Sequence, residues 1–329
     1  MSGLPNSSIQ PIQEMRNILK TLFFSLTVIA CQSEKNVGVL ITEHLPNTKA
    51  EYQQTIVGQL SGKYTLGNNT VIKSRWANAE REIAKKYLKE LITTLGTEAN
   101  EHQYTSPNLN PAIDLILDPF KGTNIYGILP STNKSSEYVV LGGHYDSGKR
   151  NAPGAIDNAT GIALIYSVAK ELSALQNRNK NIIIVFFDQE EEELIGSKAF
   201  AKLLKQRQWD IHSVHCFDMV GWDADKDRAM EIFSGSASLI EIYKTVADQR
   251  KIPLKDILID PVGYHNNSTD FDAFVPLGFN VIGAGECFYH RDSTPYKDSP
   301  DDTFDTVDFE YLLSCSNLIE NIIKKIISE

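Results

Sequence analysis

The sequence predicts a single α/β domain in which a mostly parallel, mixed β-sheet carries helices on both faces. The first observation is the apolar, β-branched run from Ile182 to Phe187, which is typical of a buried parallel strand. The second is the alternation of strand-like and helix-like segments between residues 137 and 284. The third is that no break in composition indicates a second domain.

The first part of the predicted domain contains helices and a pair of strands. Ala50–Leu60 is a candidate helix, and Ser74–Leu95 places apolar residues at helical spacing before the stop signal Gly96. Ala112–Leu117 and Asn124–Leu129 are predicted strands on either side of a proline-containing turn. We expect this pair to form a hairpin at one edge of the sheet.

The remaining chain continues the alternation, which right-handed crossovers assemble into a helix-flanked sheet. The predicted strands are Glu137–Gly142, Ile182–Phe187, Ser213–Phe217, Met230–Phe233 and Val281–Ala284. The predicted helices are Ile162–Leu172, Glu193–Leu204, Ser238–Gln249 and Asp305–Ser328.

Composition narrows the class of partner. Hydrophobic residues make up 42% of the chain and charged residues 22%, which suits a globular protein with a substantial core. The formal net charge is −10, and no cluster of lysine and arginine is present that would follow a phosphate backbone. We therefore expect no nucleic-acid partner.

The amino-terminal segment Met15–Cys31 has the layout of a secretory signal: a short basic start, then an apolar stretch too short to span a bilayer. An ordinary buried helix is the alternative. The ending Val28–Cys31 resembles a bacterial lipobox, which implies a lipid anchor on Cys31, the only expected contact with a membrane. It also implies a Gram-negative envelope lipoprotein, and Gln32 favours the outer membrane. On this interpretation Met1–Glu14 is a mis-called start.

The sequence is accordingly divided into residues 1–31 as signal segment, 32–73 as linker and helix, and 74–329 as the main domain. Three cysteines remain after the signal, which allow at most one internal disulfide. A disulfide-stabilised scaffold is therefore not expected.

Polar residues follow several predicted strands directly, where parallel sheets collect ligand-binding groups. They are His144, Asp146, Asp157, Glu190, Glu191 and Asp218. Four adjacent glutamates, residues 190–193, repel one another, so a bound cation is the simplest way to keep them near the interior. A solvated acidic turn is the alternative for the glutamates, a core histidine for His144, and a helix N-cap for Asp157.

One imidazole and several carboxylates suit zinc or a similar divalent ion, and a bridging carboxylate makes a two-metal site. The runs HYDS, GAIDNATG, FFDQEEEELIGS and FDMVG, in this order, resemble the M28 family of zinc-dependent exopeptidases. The resemblance spans roughly Ser74 to the carboxyl terminus. It implies a zinc-exopeptidase-like fold, aminopeptidase activity on peptides with a free amino terminus, and two zinc ions.

The resemblance also implies roles for individual residues. His144 and Asp218 would bind one metal, Asp157 would bridge two, and Glu191 would bind the second. Glu190 would be the general base. Asp146 matches the residue that orients the histidine.

One position departs from the family pattern. Where the family has its last histidine ligand, four residues before an Asp-Thr pair, this chain has Asp298. With Asp298 the second site would contain only oxygens, which suits harder ions and implies a weaker or more permissive site that accepts Mn²⁺. Alternatively, His290 supplies the nitrogen ligand, or the second site is lost.

Two other functions fit the same resemblance. A glutaminyl-cyclase-like acyltransferase would use a single zinc at the site of Asp157 and Glu191, so the change at Asp298 argues against it. A non-catalytic envelope binding protein should lack a general base, and the presence of Glu190 argues against that.

Overall fold

One mixed sheet organises the computed structural model of the protein. In chain order its eight strands are β1 Ala99–Ser106, β2 Phe120–Leu129, β3 Glu137–His144, β4 Asn181–Phe187, β5 Asp210–Asp218, β6 Met230–Gly235, β7 Leu254–Asp256 and β8 Val281–Gly285. Across the sheet they lie in the order β1-β2-β4-β3-β5-β8-β6-β7. The central strands β4, β3, β5 and β8 run parallel, whereas β2 and β6 are antiparallel to their neighbours β4 and β8. The predicted mostly parallel mixed sheet is confirmed.

The structure describes residues 39–41, 45–107, 119–256, 269–286 and 292–329. The chain divides into two compact units, one made of residues 1–38 and 107–120, the other of residues 39–106 and 121–329. Apart from Phe120, the strands and helices all belong to the second unit. The predicted signal segment and the predicted strand Ala112–Leu117 lie outside the described residues.

Helices cover both faces of the sheet. They are α1 Lys49–Leu60, α2 Asn78–Thr93, α3 Gly161–Ser173, α4 Ile195–Arg207, α5 Ala237–Arg250 and α6 Phe309–Ser328. The helix α1, which lies in the segment predicted as linker and helix, packs with α3 and α6, and α6 also packs against α5. Helix α2 contacts the edge strand β1.

Strand β4 shows why its sequence is apolar throughout. Its alternate residues Ile183, Val185 and Phe187 share a buried cluster with Phe200 of helix α4. The other face of the sheet is covered by α3, because a Cβ placed on Gly143 of the neighbouring strand β3 would lie 3.1 Å from a methyl of Ile165. Both faces of β4 are therefore buried, and full burial of each Val, Ile or Phe stabilises the fold by about 1.5–3 kcal/mol.

Three helices begin later than the sequence predicted. Helix α2 was expected from Ser74 but begins at Asn78. Helix α4 was expected from Glu193, but Glu193 has a left-handed backbone (φ +66°), and the helix begins at Ile195. Helix α6 was expected from Asp305 but begins at Phe309, because the Asp308 side chain accepts hydrogen bonds from two backbone N–H groups of the first turn.

The edge strands β1 and β7 were not predicted. Strand β1 is polar and alternates between exposed and half-buried positions, so it lacks the apolar periodicity that marks a strand. The predicted Asn124–Leu129 strand is present as the second part of β2, and its neighbours among the described residues are β1 and β4.

Among the described helices, none combines the length and the apolar composition required to cross a bilayer. Cys216 and Cys315 are buried free thiols. Cys287 lies outside the described residues.

Candidate metal centre

The carboxyl ends of the central strands bring the predicted ligands together. Strand β3 ends at His144 and lies between β4 and β5, to which it runs parallel. Strand β5 ends at Asp218, and the turn after β4 carries Glu190 and Glu191. Because parallel strands end at the same edge of the sheet, three separate parts of the sequence contribute side chains to one place.

His144 stands at the middle of the cluster and is 1% exposed. Its Nε2 atom lies 3.2 Å from Oδ1 of Asp157 and 3.3 Å from Oδ1 of Asp218. Two groups of possible ligand atoms, each within 4.8 Å of one another, share this histidine: one with Asp157 and Glu191, the other with Glu190 and Asp218. Five predicted site residues thus lie close enough together to bind the same metal ions.

Asp157 sits in an irregular turn, residues 155–160, that precedes helix α3. Asp157 is not the N-cap, because that position belongs to Thr160, and the helix begins at Gly161. The turn is held by Asp302, whose two carboxylate oxygens accept hydrogen bonds from the backbone N–H groups of Ile156 (2.8 Å) and Asp157 (3.1 Å). The peptide bond that follows Asp157 is cis.

Arg75 also supports the turn that contains Asp157. Its guanidinium is completely buried and donates to the backbone carbonyls of Leu60, Tyr145, Pro153 and Gly154 at 2.6–2.8 Å. A buried guanidinium is stable only when its donors are satisfied, so these carbonyls fix its position and it fixes theirs. The backbone on both sides of the ligand cluster is thereby tied to one side chain.

Asp146 positions three neighbours. Its Oδ1 lies 3.5 Å from Nδ1 of His144 and accepts a hydrogen bond of 3.0 Å from the backbone N–H of Glu190. Its Oδ2 accepts one of 3.3 Å from the N–H of Glu191. A carboxylate beside the second ring nitrogen orients a metal-binding histidine, which is the place predicted for Asp146.

Burial and mutual repulsion perturb the carboxylates. Burial, followed by repulsion from Asp157, raises the pKa of Glu191 to about 9. Burial also raises the pKa of Glu190 well above its usual value; His144 opposes this rise and Asp218 adds to it. Burial alone would raise the pKa of Asp157, but the positive charges of Lys297 and His144 hold it below the usual range. So many buried negative groups call for a positive charge between them.

Asp298, the predicted departure from the family pattern, reaches the same place. A Cβ placed on Gly148 would lie 1.8 Å from Oδ1 of Asp298 and 2.9 Å from Oε2 of Glu191, so the two carboxylates approach one another over this glycine. The neighbouring Lys297 brings its Nζ to 3.6 Å from Oδ2 of Asp157. A cationic side chain therefore lies at the carboxylate that was predicted to bridge two metals.

The residues present fit divalent metal ions. Several buried carboxylate oxygens have no hydrogen-bond partner among the described residues; they are Asp157 Oδ1 and Oδ2, Glu191 Oε1 and Asp298 Oδ1. Unpaired buried carboxylate oxygens are costly unless a cation satisfies them. One imidazole with clustered carboxylates is a donor set that binds zinc.

Sequence reasoning missed several residues of the centre. Asp302 and Arg75 are not among the predicted site residues. Asp270 is also absent from the prediction; it is 1% exposed, and burial, with a smaller contribution from Asp218, raises its pKa to about 7. No local pattern identifies these residues, because each reaches the centre from a distant part of the sequence.

Other histidines lie away from this centre or outside the described residues. His215 is buried, with Nδ1 2.8 Å from the Tyr243 hydroxyl, and His212 is half-buried beside Ser213. His265 and His290 lie outside the described residues.

The model of the family described as Peptidase family M28 matches residues 124–323, which is more than half of the chain. A probable zinc metalloprotease of Pyrenophora tritici-repentis is 31% identical over 113 residues, 32% of this chain and 26% of that protein. Aminopeptidase YwaD of Bacillus subtilis is 25% identical over 60% of this chain and 43% of its own length. These alignments thus span about a quarter to two fifths of the curated relatives.

Solved structures share the fold. A zinc aminopeptidase from Bacillus subtilis superimposes with a TM-score of 0.71 at 15% identity, covering 87% of this chain and 96% of that one. A glutaminyl cyclase from Bacteroides thetaiotaomicron gives a TM-score of 0.68 at 16% identity, covering 85% of this chain and 99% of that one. At these identities the likeness concerns the fold alone, and this fold carries at least two activities.

Proposed function

Because the chain belongs to peptidase family M28, we propose that it is a zinc-dependent aminopeptidase, a metallo-exopeptidase that releases residues from the free amino terminus of peptides. One observation supports this most directly: two clusters of ligand atoms meet at His144, with the buried carboxylate of Glu190 in one of them. A purely structural ion would not need an additional base beside its ligands.

In this proposal His144, Asp157 and Asp218 hold one ion, and Asp157, Glu191 and Asp298 hold the second. Bound zinc would lower the pKa of water and stabilise the oxyanion of the tetrahedral intermediate. The unpartnered oxygens of Asp157, Glu191 and Asp298 support this assignment.

The side chains carry the proton transfers. Glu190 takes a proton from the attacking water and delivers it to the amine that leaves when the peptide bond breaks. Burial raises the pKa of Glu190 well above its usual value, which favours a group that both accepts and returns a proton near neutral pH. Asp146 holds the backbone of Glu190 and the ring of His144 together, so the base and the ligand keep a fixed relation.

The second ion is proposed to bind more weakly and more permissively, so that Mn²⁺ can replace zinc there. Two features support this: Asp298 supplies oxygen where the family pattern has imidazole, and the Lys297 ammonium lies 3.6 Å from Asp157. The test is the number of metal ions per chain in Asp298→Ala and His290→Ala. Loss of one ion only in Asp298→Ala supports this assignment, and loss only in His290→Ala transfers the role to His290.

The activity is tested with a panel of aminoacyl anilides, before and after treatment with a chelator. We expect hydrolysis that the chelator abolishes and zinc restores. In Glu190→Gln, kcat should fall by at least about 100-fold, in the range for loss of a general base. Its metal content should remain unchanged, because Glu190 is not proposed as a ligand.

Glu192→Gln is the matched control, since Glu192 is two residues further along and exposed. It should retain wild-type kcat. Equal loss in both variants, or full activity in Glu190→Gln, would contradict the assignment of the base.

A glutaminyl-cyclase-like acyltransferase is the second candidate, because a glutaminyl cyclase shares the fold. Cyclisation of an amino-terminal glutamine without anilide hydrolysis would establish it. Absence of both reactions in metal-loaded protein would favour a binding protein on a peptidase scaffold.

We also propose that the protein is an exported envelope lipoprotein anchored through Cys31. The signal-like layout of Met15–Cys31 supports this. Radiolabelled fatty acid should be incorporated by the wild type and not by Cys31→Ser; equal labelling would exclude the anchor.

A further inference from the structure

A second group of carboxylates comes from the loop after strand β5 and from the segment after strand β8, and it shares no residue with the centre around His144. Carboxylate oxygens of Asp223, Asp225 and Asp292 all lie within 4.8 Å of one another. Asp223 and Asp292 are 2% and 6% exposed, and Asp225 is exposed. Two buried carboxylates held beside a third repel one another unless a cation lies between them.

Glu231 provides an independent observation that a cation belongs here. It is 1% exposed, and both of its carboxylate oxygens lack a hydrogen-bond partner among the described residues. In the register of β6 and β7 it lies directly beside Lys255, whose ammonium forms ion pairs with Asp225 and Asp227. Paired residues on neighbouring strands share a face of the sheet, so Glu231 faces the acidic loop.

The electrostatics agree with this geometry. Burial first, and repulsion from Asp292 second, raise the pKa of Glu231 to about 8, although Lys255 opposes the shift. Lys255 is a single ammonium that pairs with Asp225 and Asp227 and lies beside Glu231, so it leaves part of the negative charge of these carboxylates uncompensated.

Within these carboxylates, some oxygens accept backbone hydrogen bonds and others remain available to a cation. The Asp292 Oδ1 atom accepts hydrogen bonds from the backbone N–H groups of Ala224 (2.6 Å) and Asp225 (3.2 Å). Oδ2 of Asp223 accepts one from the N–H of Arg228 (3.0 Å), while its Oδ1 is buried without a partner. The backbone thus fixes the orientation of both buried aspartates and leaves Oδ1 of Asp223 available.

We propose that Asp223, Asp225, Asp292 and Glu231 bind a calcium ion. All available side-chain ligands are oxygens, which suits a hard cation and not zinc, which favours nitrogen and sulfur. Aspartates at alternate positions 223, 225 and 227 are also the spacing with which calcium loops supply carboxylates. Calcium is favoured over magnesium because an irregular group of four carboxylates matches its flexible coordination.

The ion would tie the loop to the segment that carries Asp298. Asp292 lies six residues before Asp298, and the ring of Trp222, next to Asp223, packs edge-on against Tyr296 with ring centroids 5.5 Å apart. Calcium at this point would hold both partners of that aromatic contact. This inference stands independently of the aminopeptidase activity.

The test is terbium luminescence of the zinc-loaded full chain, excited through tryptophan, because Trp222 adjoins Asp223. We expect a saturable signal that Ca²⁺ displaces, one Ca²⁺ per chain by calorimetry, and a higher Tm in Ca²⁺. Glu231→Gln and Asp225→Asn should each weaken Ca²⁺ binding at least about 10-fold, because each removes one charged ligand. Asp248→Asn, an exposed aspartate on helix α5, should bind Ca²⁺ like the wild type.

Both ligand variants must show the far-ultraviolet circular dichroism of the wild type, and Asp225, being exposed, can be changed without disturbing the core. The proposal is overturned if the zinc-loaded wild type binds no Ca²⁺, or if both folded variants bind it with wild-type affinity. A terbium signal that disappears on zinc saturation but persists in Glu231→Gln would assign the ion to the His144 centre and would equally overturn the proposal.

Discussion

Replacement of Arg75 by methionine tests whether one buried cation organises the metal centre. The guanidinium is 0% exposed and donates to four backbone carbonyls, two of which, in Pro153 and Gly154, lead into the turn that carries Asp157. Methionine has a similar length and fills much of the same volume. It can donate no hydrogen bond, so the change removes the donors with little change in packing.

The magnitude follows from two opposing contributions. Hydrogen bonds from a charged donor contribute about 1.5–3 kcal/mol each, and a buried carbonyl left without a partner costs about 1–3 kcal/mol. Releasing the guanidinium from its buried position recovers several kcal/mol of desolvation. Four carbonyls left without partners cost about 4–12 kcal/mol, and after the recovered desolvation is subtracted the net loss expected is about 3–5 kcal/mol in the free energy of unfolding.

The assay is urea unfolding of metal-free protein. Arg150→Met is the control, because Arg150 is exposed in the loop between strand β3 and the turn that carries Asp157. The control should change the free energy of unfolding by less than about 0.5 kcal/mol. Zinc affinity, measured separately by competition with a chromophoric chelator, should fall in Arg75→Met because Asp157 is less firmly positioned. A loss of stability below about 1 kcal/mol with unchanged zinc affinity would refute the reasoning.

Two further predictions concern single side chains. In Asp302→Asn, an amide replaces the carboxylate that accepts the N–H groups of residues 156 and 157, so zinc affinity should fall about 10–100-fold in a competition assay; Asp301→Asn, at an exposed neighbour, should leave it unchanged. Burial lowers the pKa of His215 to about 3, so its contribution to stability is present above the unfolded pKa and is lost as pH falls below about 6.5. At pH 5 that loss is about 2 kcal/mol in urea unfolding relative to pH 7.5, and it should be absent in His215→Gln. An equal loss in His215→Gln would assign the acid sensitivity to other groups.

The centre of the fold could be predicted because its signals are local. The apolar run Ile182–Phe187 and the carboxylates after it lie within one stretch of sequence, and strand β4 is buried on both faces. The ends of β3 and β5 could be placed beside it by the rule that parallel strands present their carboxyl ends together. For this reason the sequence alone predicts these site residues, and the structure brings them together: His144, Asp157, Glu190, Glu191 and Asp218.

The supports of the centre could not be predicted in this way. Arg75 and Asp302 lie 82 residues before and 145 residues after Asp157, and each acts through backbone groups that have no sequence signature. Strand β1 also lacks a sequence signal, because an edge strand with one exposed face needs few apolar residues. Long-range polar contacts and weakly patterned edges therefore account for what was missed.

The pair Lys297 and Asp298 gives the departure from the family pattern a physical meaning. Asp298 adds a carboxylate beside Glu191, which by itself would strengthen attraction for a second cation. Lys297 opposes this, because its ammonium already lies 3.6 Å from Asp157, and two positive charges cannot share that carboxylate without repulsion. The lysine side chain is 35% exposed and flexible enough to withdraw when an ion enters. In the proposed arrangement, an ion on the Oδ2 side of Asp157 would have to displace the Lys297 ammonium, whereas an ion on the Oδ1 side, which faces His144, would not. This difference supports unequal affinity of the two proposed sites.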